Sequence, residues 1–219
     1  MATRALLADL LDEHARVGGA AVRMESVGGV DAARRVAAGD ESFDVVVLAR
    51  PALERLGAAG RIDPTTCVDV ARSSIAVAVR TGDPLPDLGD EAAVRRAVMQ
   101  AGRIGYSTGP SGEHLLGLLH RWGVDERDGP RLVQAPPGIP VGSLLARGDV
   151  DIAFQQLGEL RSVAGVTVAG VLPDPVQAVT VFSGAATAAT MHAREVAALL
   201  TFLTSPATAE VKRRHGLDP

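Results

Sequence analysis

The sequence predicts an α/β protein of two lobes, the first of them discontinuous, and three observations carry that expectation. Short apolar strand-like runs alternate with segments whose apolar residues recur at helical spacing. The Val- and Ile-rich runs are continuous rather than alternating, which suits strands buried on both faces of a parallel sheet. Two β-rich runs, 74–80 and 178–183, flank a central block. If both cross between lobes, residues 79–175 form one lobe inserted into another built from residues 1–78 and 176–219.

The elements follow in order. Apolar residues at helical spacing predict a helix over 5–15, then a strand over 20–24, a turn at Gly28-Gly29 and a helix over 31–38. A strand over 44–48 leads into a helix over 51–59 that Gly60 stops, and the β-rich run 74–80 follows. After the Pro-rich loop 83–87 and a helix over 91–100 come three βα units. These pair strand 103–106 with helix 111–122, strand 131–134 with helix 141–147, and strand 152–155 with helix 156–160. Strands over 166–172 and 178–183 precede two closing helices, 193–204 and 206–215. The Ala-rich segment 185–190 has no firm preference.

Composition removes several function classes. With 219 residues, 47% of them hydrophobic, the chain has enough apolar material for a substantial core. A net charge of -4, with its cations scattered, and only 3% aromatic residues give no footprint for nucleic acid. No run of about 18 uncharged apolar residues occurs, so no membrane insertion is expected. Asp9, Asp12 and Glu13 interrupt the first apolar run, which therefore reads as an amphipathic helix rather than a signal peptide. Cys67 is the single cysteine; it excludes an internal disulfide and reads as a small buried hydrophobe.

The most informative segment is Ile104-Gly-Tyr-Ser-Thr-Gly-Pro-Ser-Gly-Glu-His114, a strand end running through Ser, Thr and Gly into a helix. Pro110 suits the first helical position, and Gly109 and Gly112 allow close backbone approach, so free N–H groups and the positive end of the helix face one point. That arrangement suits an anion or carboxylate. Simple capping by Ser107, Thr108 and Ser111 is the structural alternative.

Taken together, the segments Gly28-Gly-Val-Asp-Ala-Ala-Arg-Arg-Val-Ala-Ala-Gly39, Phe43-Asp-Val-Val-Val47, Leu53-Glu-Arg-Leu-Gly-Ala-Ala-Gly60, Asp69-Val-Ala-Arg-Ser-Ser74, Ile104-Gly-Tyr-Ser107, Ala146-Arg-Gly148, Phe154-Gln-Gln156 and Leu172-Pro173 resemble the molybdate-binding-protein-like bacterial solute-binding proteins. The similarity runs from about residue 2 to residue 219, in the family's order and spacing, and includes the closing Phe202-Leu-Thr-Ser-Pro206 and His215-Gly-Leu-Asp-Pro219. The resemblance implies a two-lobed type II periplasmic-binding-protein fold that closes on a small oxyanion or carboxylate, partnered by an ABC transporter permease. It implies no cofactor. It also implies a periplasmic location, with the cytoplasm as the alternative if the natural chain has no signal peptide.

By the same resemblance, the binding positions of the inserted lobe fall on Ser111, Val141 and Phe154, with Gln155 beside the last and Tyr106 and Ser107 in the same mouth. In the other lobe Gly28 or Gly29 stands where molybdate binders present a Ser hydroxyl, so only backbone N–H groups remain there. Thr3 lies where the family's first loop should end, and Ser73 and Ser74 lie at a hinge entry with Arg72 beside them, the one cation placed for a carboxylate fork. Because the chain starts at that loop, a first strand is expected to be missing, leaving either self-association or a longer natural chain.

The residues alone also single out Gln155 and Gln156, since an amide following a buried strand must find partners. Catalysis is the rival reading. Some relatives in this broad family resemble isomerases of small tricarboxylates, aconitate isomerase among them, and His114, Glu159 and Tyr106 are the groups able to move a proton. No Ser/His/Asp order, metal-ligand spacing or phosphate loop accompanies them, and His114 reads as a solvent-facing residue of the helix's first turn. An effector-sensing module is a third reading, lowered by the lack of a helix-turn-helix segment.

Overall fold

The computed structural model describes residues 2–40, 42–124 and 129–219. In chain order the elements are α1 (Arg4–Arg16), α2 (Gly29–Ala37), β1 (Val45–Ala49), α3 (Arg50–Ala58), β2 (Val68–Arg80), α4 (Glu91–Gln100), β3 (Arg103–Tyr106), α5 (Pro110–Arg121), β4 (Arg131–Gln134), α6 (Val141–Arg147), β5 (Ile152–Gln156), α7 (Leu157–Arg161), β6 (Val166–Val171), β7 (Val179–Ala186), α8 (Ala193–Thr204) and α9 (Ala209–Arg214). Three 3-10 turns, Pro64–Thr66, Asp174–Val176 and Pro206–Thr208, complete the order. None of the described helices is long and apolar enough to cross a membrane.

The chain divides into two compact units, one of residues 3–73 and 180–219, the other of residues 74–179. Both crossings fall inside strands, one in β2 and one in β7.

In the second unit the strand order is β6-β2-β5-β3-β4. β3 runs parallel to both β4 and β5, while β2 is antiparallel to β5 and β6. The expected parallel sheet is therefore mixed, because β2 runs antiparallel to both of its neighbours in this unit, β5 and β6. Burial on both faces holds all the same. Ile75 and Val77 of β2 pack with Ile104, Leu115, Leu118, Ile152 and Phe154 on one side, and Ala76 and Ala78 pack with Val141, Leu144, Leu145 and Leu160 on the other. Large side chains toward one layer and alanines toward the other let α6 and α7 lie close to the sheet.

In the first unit β1 is antiparallel to β7, pairing Val45 with Ala186 through Ala49 with Phe182, and β7 neighbours β2. Two differences from the sequence reading stand out. Residues 20–24 form no strand: they are mostly exposed and have no ladder partner, and strand propensity without a partner leaves backbone groups to water. β1 alternates half-buried and buried residues rather than being covered on both faces. The run 74–80 is the second half of a longer strand from Val68, β7 extends through Ala186 into the Ala-rich segment, and the last helix is split by the Pro206–Thr208 turn.

α1 packs Leu6 and Leu10 with Val70, Leu199, Leu203, Val211 and Leu217. A second cluster joins Val36, Val46, Leu48, Leu53, Leu56 and Ile62. Asp69 on β2 accepts from Ser183 Oγ at 2.8 Å and Arg50 Nη1 at 2.7 Å. Burial alone would raise its carboxyl, but these bonds and the nearby Arg72 hold it below the usual carboxylate range.

Candidate functional site

Within the second unit, β3, β4 and β5 run the same way, so their carboxyl ends reach one edge. Open α/β sheets bind ligands at such edges. Two glycines let the following helices close down on it. A methyl added to Gly112 would stand 1.8 Å from the Ser107 carbonyl oxygen, and one added to Gly105 would stand 2.7 Å from Val141 Cγ1. The first turn of α5 therefore rests on the end of β3, and the first residue of α6 rests on the strand itself.

Ser107 and Ser111 face each other with their hydroxyl oxygens 2.9 Å apart, and Ser107 Oγ also accepts from the Gly109 N–H at 3.2 Å. The spacing i, i+4 across the helix start brings the pair together. Ser111 is only 1% exposed. Two hydroxyls joined by one hydrogen bond use one hydrogen and leave the other, whichever serine donates. A surplus O–H donor thus sits at the positive end of a 12-residue helix, beside N–H groups of its first turn.

Across the register, Tyr106 pairs with Phe154, so Ser107 and Gln155 follow at one level. Gln155 is 2% exposed, and its Oε1 accepts the Val141 N–H at 2.8 Å. The Val141 donor is therefore already engaged. The Phe154 ring is fully buried in the apolar layer and offers no polar atom, so it supports the edge from beneath. Tyr106, Ser107, Ser111, Val141, Phe154 and Gln155 thus share one end of this unit, and Ser74 lies half-buried on β2.

The remaining candidates belong to the first unit. Thr3 precedes α1, nearly buried, with its carbonyl accepting from Leu7 N–H and its hydroxyl making no cap bond. Gly28 is the N-cap of α2 in an extended conformation, and its carbonyl accepts from Ala32 N–H. Gly29 is the first residue of that helix, exposed. Ser73 is completely buried, and its Oγ has no hydrogen-bond partner among the described residues. Arg72 exchanges backbone bonds with Asp218, and its exposed guanidinium forms no ion pair among the described residues. A cavity of about 170 Å³ lined by Val36, Asp40, Arg61 and Thr187 includes none of the expected site residues.

His114 corrects its sequence reading. It is half-buried, and its Nε2 lies 2.8 Å from the Val176 carbonyl oxygen. A carbonyl only accepts, so Nε2 carries the hydrogen and Nδ1 is the free face of the ring. No group of three His, Cys, Asp or Glu able to hold a metal occurs among the described residues. Burial pushes the Cys67 thiol up, against the pull of Arg50, which suits an inert apolar role.

Gln177 was missed by sequence reading. Its Oε1 accepts from the N–H groups of Ile75 and Ala178, and its Nε2 donates to the carbonyls of Ile75 and Leu172. A glutamine between two predicted strands carries no local sign of such a task.

Residues 1–218 match the bacterial extracellular solute-binding protein family. The chain belongs to that family. Among curated relatives, the aconitate isomerase of a Pseudomonas species is 35% identical over 180 residues, covering 82% of this chain and 69% of that protein. Among solved structures, the periplasmic molybdate-binding protein of Azotobacter vinelandii matches with a TM-score of 0.77 at 20% identity, over 99% of this chain and 95% of that one. The ferric binding protein of Campylobacter jejuni matches at 0.71 with 11% identity, over 98% and 83%. At such identities the structures establish the fold, a two-lobed type II periplasmic-binding-protein arrangement whose first lobe is discontinuous. Solute-binding proteins of this one fold serve an oxyanion in one case and iron in the other, so the fold does not choose the ligand.

Proposed function

We propose that this solute-binding protein takes a small anion, an oxyanion or a polycarboxylate, and delivers it in the periplasm to an ABC importer. The observation that carries the reading is the Ser107–Ser111 pair at the start of α5, which keeps one hydroxyl hydrogen without an acceptor among the described residues. An ionised oxygen is the acceptor such a hydrogen and the helix N-terminus both favour. Tyr106 and Gln155 are the further candidate contacts in this unit. The Ser74 hydroxyl is another candidate of the second unit; in the first unit, the N–H groups at Gly28 and Gly29, with Thr3 and the Ser73 hydroxyl, are the candidates.

A second reading, isomerisation of a small tricarboxylate, is favoured by the 35% identity to an aconitate isomerase. It asks for a base, and the Nδ1 face of His114, Tyr106 and Glu159 are the groups to consider. A neutral imidazole whose other nitrogen is committed to a carbonyl can accept one proton. Both readings share a tricarboxylate among their ligands and differ in turnover.

One experiment separates them. Thermal shifts are measured with molybdate, tungstate, sulfate, citrate, cis-aconitate and trans-aconitate. A ligand at a hundredfold excess over its Kd adds about 2.7 kcal/mol of stability. The expected outcome is a clear shift with one anion class, lost in Ser111→Ala. No shift with any anion defeats the binding reading. Following cis-aconitate by NMR is expected to give no trans isomer; turnover abolished in His114→Ala, Tyr106→Phe or Glu159→Gln makes the protein an isomerase.

A further inference from the structure

We propose that Gln155 is a specificity determinant that favours an unprotonated, ionised ligand oxygen, an inference that rests on the anion reading above. An amide side chain is ambiguous in isolation, because rotating it by half a turn exchanges an acceptor for two donors. Here the ambiguity is removed. The partner of the amide is the Val141 N–H, a backbone donor that cannot accept, so the oxygen must face it, at 2.8 Å. The nitrogen then faces the other way with two hydrogens, and among the described residues it has no acceptor.

Val141 cannot easily withdraw from this lock. It is fully buried, and its side chain lies in the space left by the missing Cβ of Gly105. Gln155 is equally constrained, since it is 2% exposed and its strand residue pairs with Ala76 of β2. Its amide nitrogen is not among the buried side-chain atoms left without a partner, so its hydrogens face water until a ligand oxygen takes the water's place. A bare carboxylate or oxyanion oxygen can do so. A protonated oxygen is the weaker acceptor and must also turn its own hydrogen away from the amide. The surplus hydroxyl hydrogen of the Ser107–Ser111 pair, at the same level of the adjacent strand, repeats the demand. The chemical class selected is therefore an anion whose contacting oxygens carry no proton, such as a fully ionised polycarboxylate or a tetrahedral dianion.

The test compares native protein with Gln155→Glu and Gln155→Met, using calorimetric titration of trans-aconitate, cis-aconitate and molybdate. Glutamate keeps an oxygen for the Val141 N–H but replaces both amide hydrogens with a second, negatively charged acceptor. Gln155→Glu is expected to retain its thermal midpoint and to bind the tightest of these anions about ten- to a hundredfold more weakly. Gln155→Met, which removes oxygen and nitrogen together, is expected to lose both binding and some thermal stability. If trans-aconitate binds, its affinity for the native chain should fall, as pH drops below the ligand's own pKa values, by about tenfold per pH unit for each proton the ligand must lose to bind.

Gln155→Glu binding as tightly as native protein would reduce Gln155 to an anchor for α6 and overturn the proposal while leaving the anion reading intact. Should Gln155→Glu fail to fold, unchanged binding by Gln155→Met overturns it equally. Trans-aconitate affinity that stays flat as the ligand takes up protons also overturns it. A native chain that binds none of the three anions would instead sink the reading on which the proposal rests.

Discussion

At the start of α5 a methyl added to Gly112 would stand 1.8 Å from a backbone carbonyl, whereas at the start of α2 one added to Gly29 would meet only Leu48 Cδ2, at 4.0 Å. Both helices begin with glycine near candidate donors, yet the two starts are built differently. In the second unit the helix is pressed onto the end of its strand, its serines are paired, and its neighbours are buried. In the first unit α2 follows residues 18–28, which contain no helix or strand, and Gly29 is exposed. The difference teaches that a glycine before a helix can either permit close packing or merely shape a turn. Only the first use fixes donors in advance of a ligand.

That comparison can be broken by a pair of substitutions, which carry the largest expected effect. Gly112→Ala forces the Ser107 carbonyl or the helix to move, and overpacking of this kind costs about 3 kcal/mol. Anion binding should fall with it, since the Ser107–Ser111 pair is displaced. Gly29→Ala meets no obstacle and should change stability by less than about 1 kcal/mol, in the stabilising direction. Urea unfolding of the two variants measures both. Equal effects would mean that the two helix starts are not different in kind.

The next test sharpens a contrast inside the second unit, between its two glutamines. Gln177 makes four hydrogen bonds to backbone groups and has no capacity left, so it ties Leu172 and Ala178 to β2. Among the described residues, Gln155 uses its oxygen alone. Gln177→Ala should therefore lower stability by about 2–4 kcal/mol, as several backbone groups lose partners at once. Gln177→Glu should also destabilise, because a carboxylate would face the Ile75 and Leu172 carbonyls. Chemical unfolding that showed Gln177→Glu to be as harmless as Gln155→Glu would remove the distinction.

How far the sequence could be read follows the same division. The βα units of the second unit were legible because each strand and its helix are adjacent in sequence, with Asp90, Gly109 and Gly148 marking helix ends; the Asp90 side chain caps α4 through Ala93 N–H. β3, β4, α4 and α6 fall on their expected residues. The first unit was less legible because β1 pairs with β7, well over a hundred residues away, and segment 20–24 has the composition of a strand without a neighbour to pair with. For the site, Ser107 and Ser111 were legible as capping or binding residues at a helix start, while their mutual bond appears only in the structure. The Gln155–Val141 bond was not legible, since it depends on α6 settling onto Gly105, and neither was the task of Gln177. The half-buried setting of His114 was hidden for the same reason: its partner Val176 comes from a distant turn.

The smallest effects distinguish the units by pH, through one group in each. In the second unit, Arg103 donates to Asp151 from its side chain and its backbone, at 2.9 and 2.8 Å, and these bonds hold the carboxyl below its ordinary range despite partial burial. A carboxyl depressed on folding contributes stability above its unfolded pKa, and that contribution disappears as pH falls through the folded value. Asp151→Asn should cost about 1 kcal/mol or less at neutral pH, given its exposure, and nothing in strong acid. In the first unit, burial pushes the Lys212 ammonium below the usual lysine range. Here the unfolded chain holds more protons between the two pKa values, so stability rises as pH climbs through that window. Lys212→Met should raise Tm by about 2–4 °C at neutral pH. The advantage should shrink in alkali, where native Lys212 is already neutral. Thermal scans across pH with both variants check the two signs independently. An Asp151→Asn penalty that persisted in acid would overturn the account of Asp151, and a Lys212→Met gain that grew with pH would overturn that of Lys212.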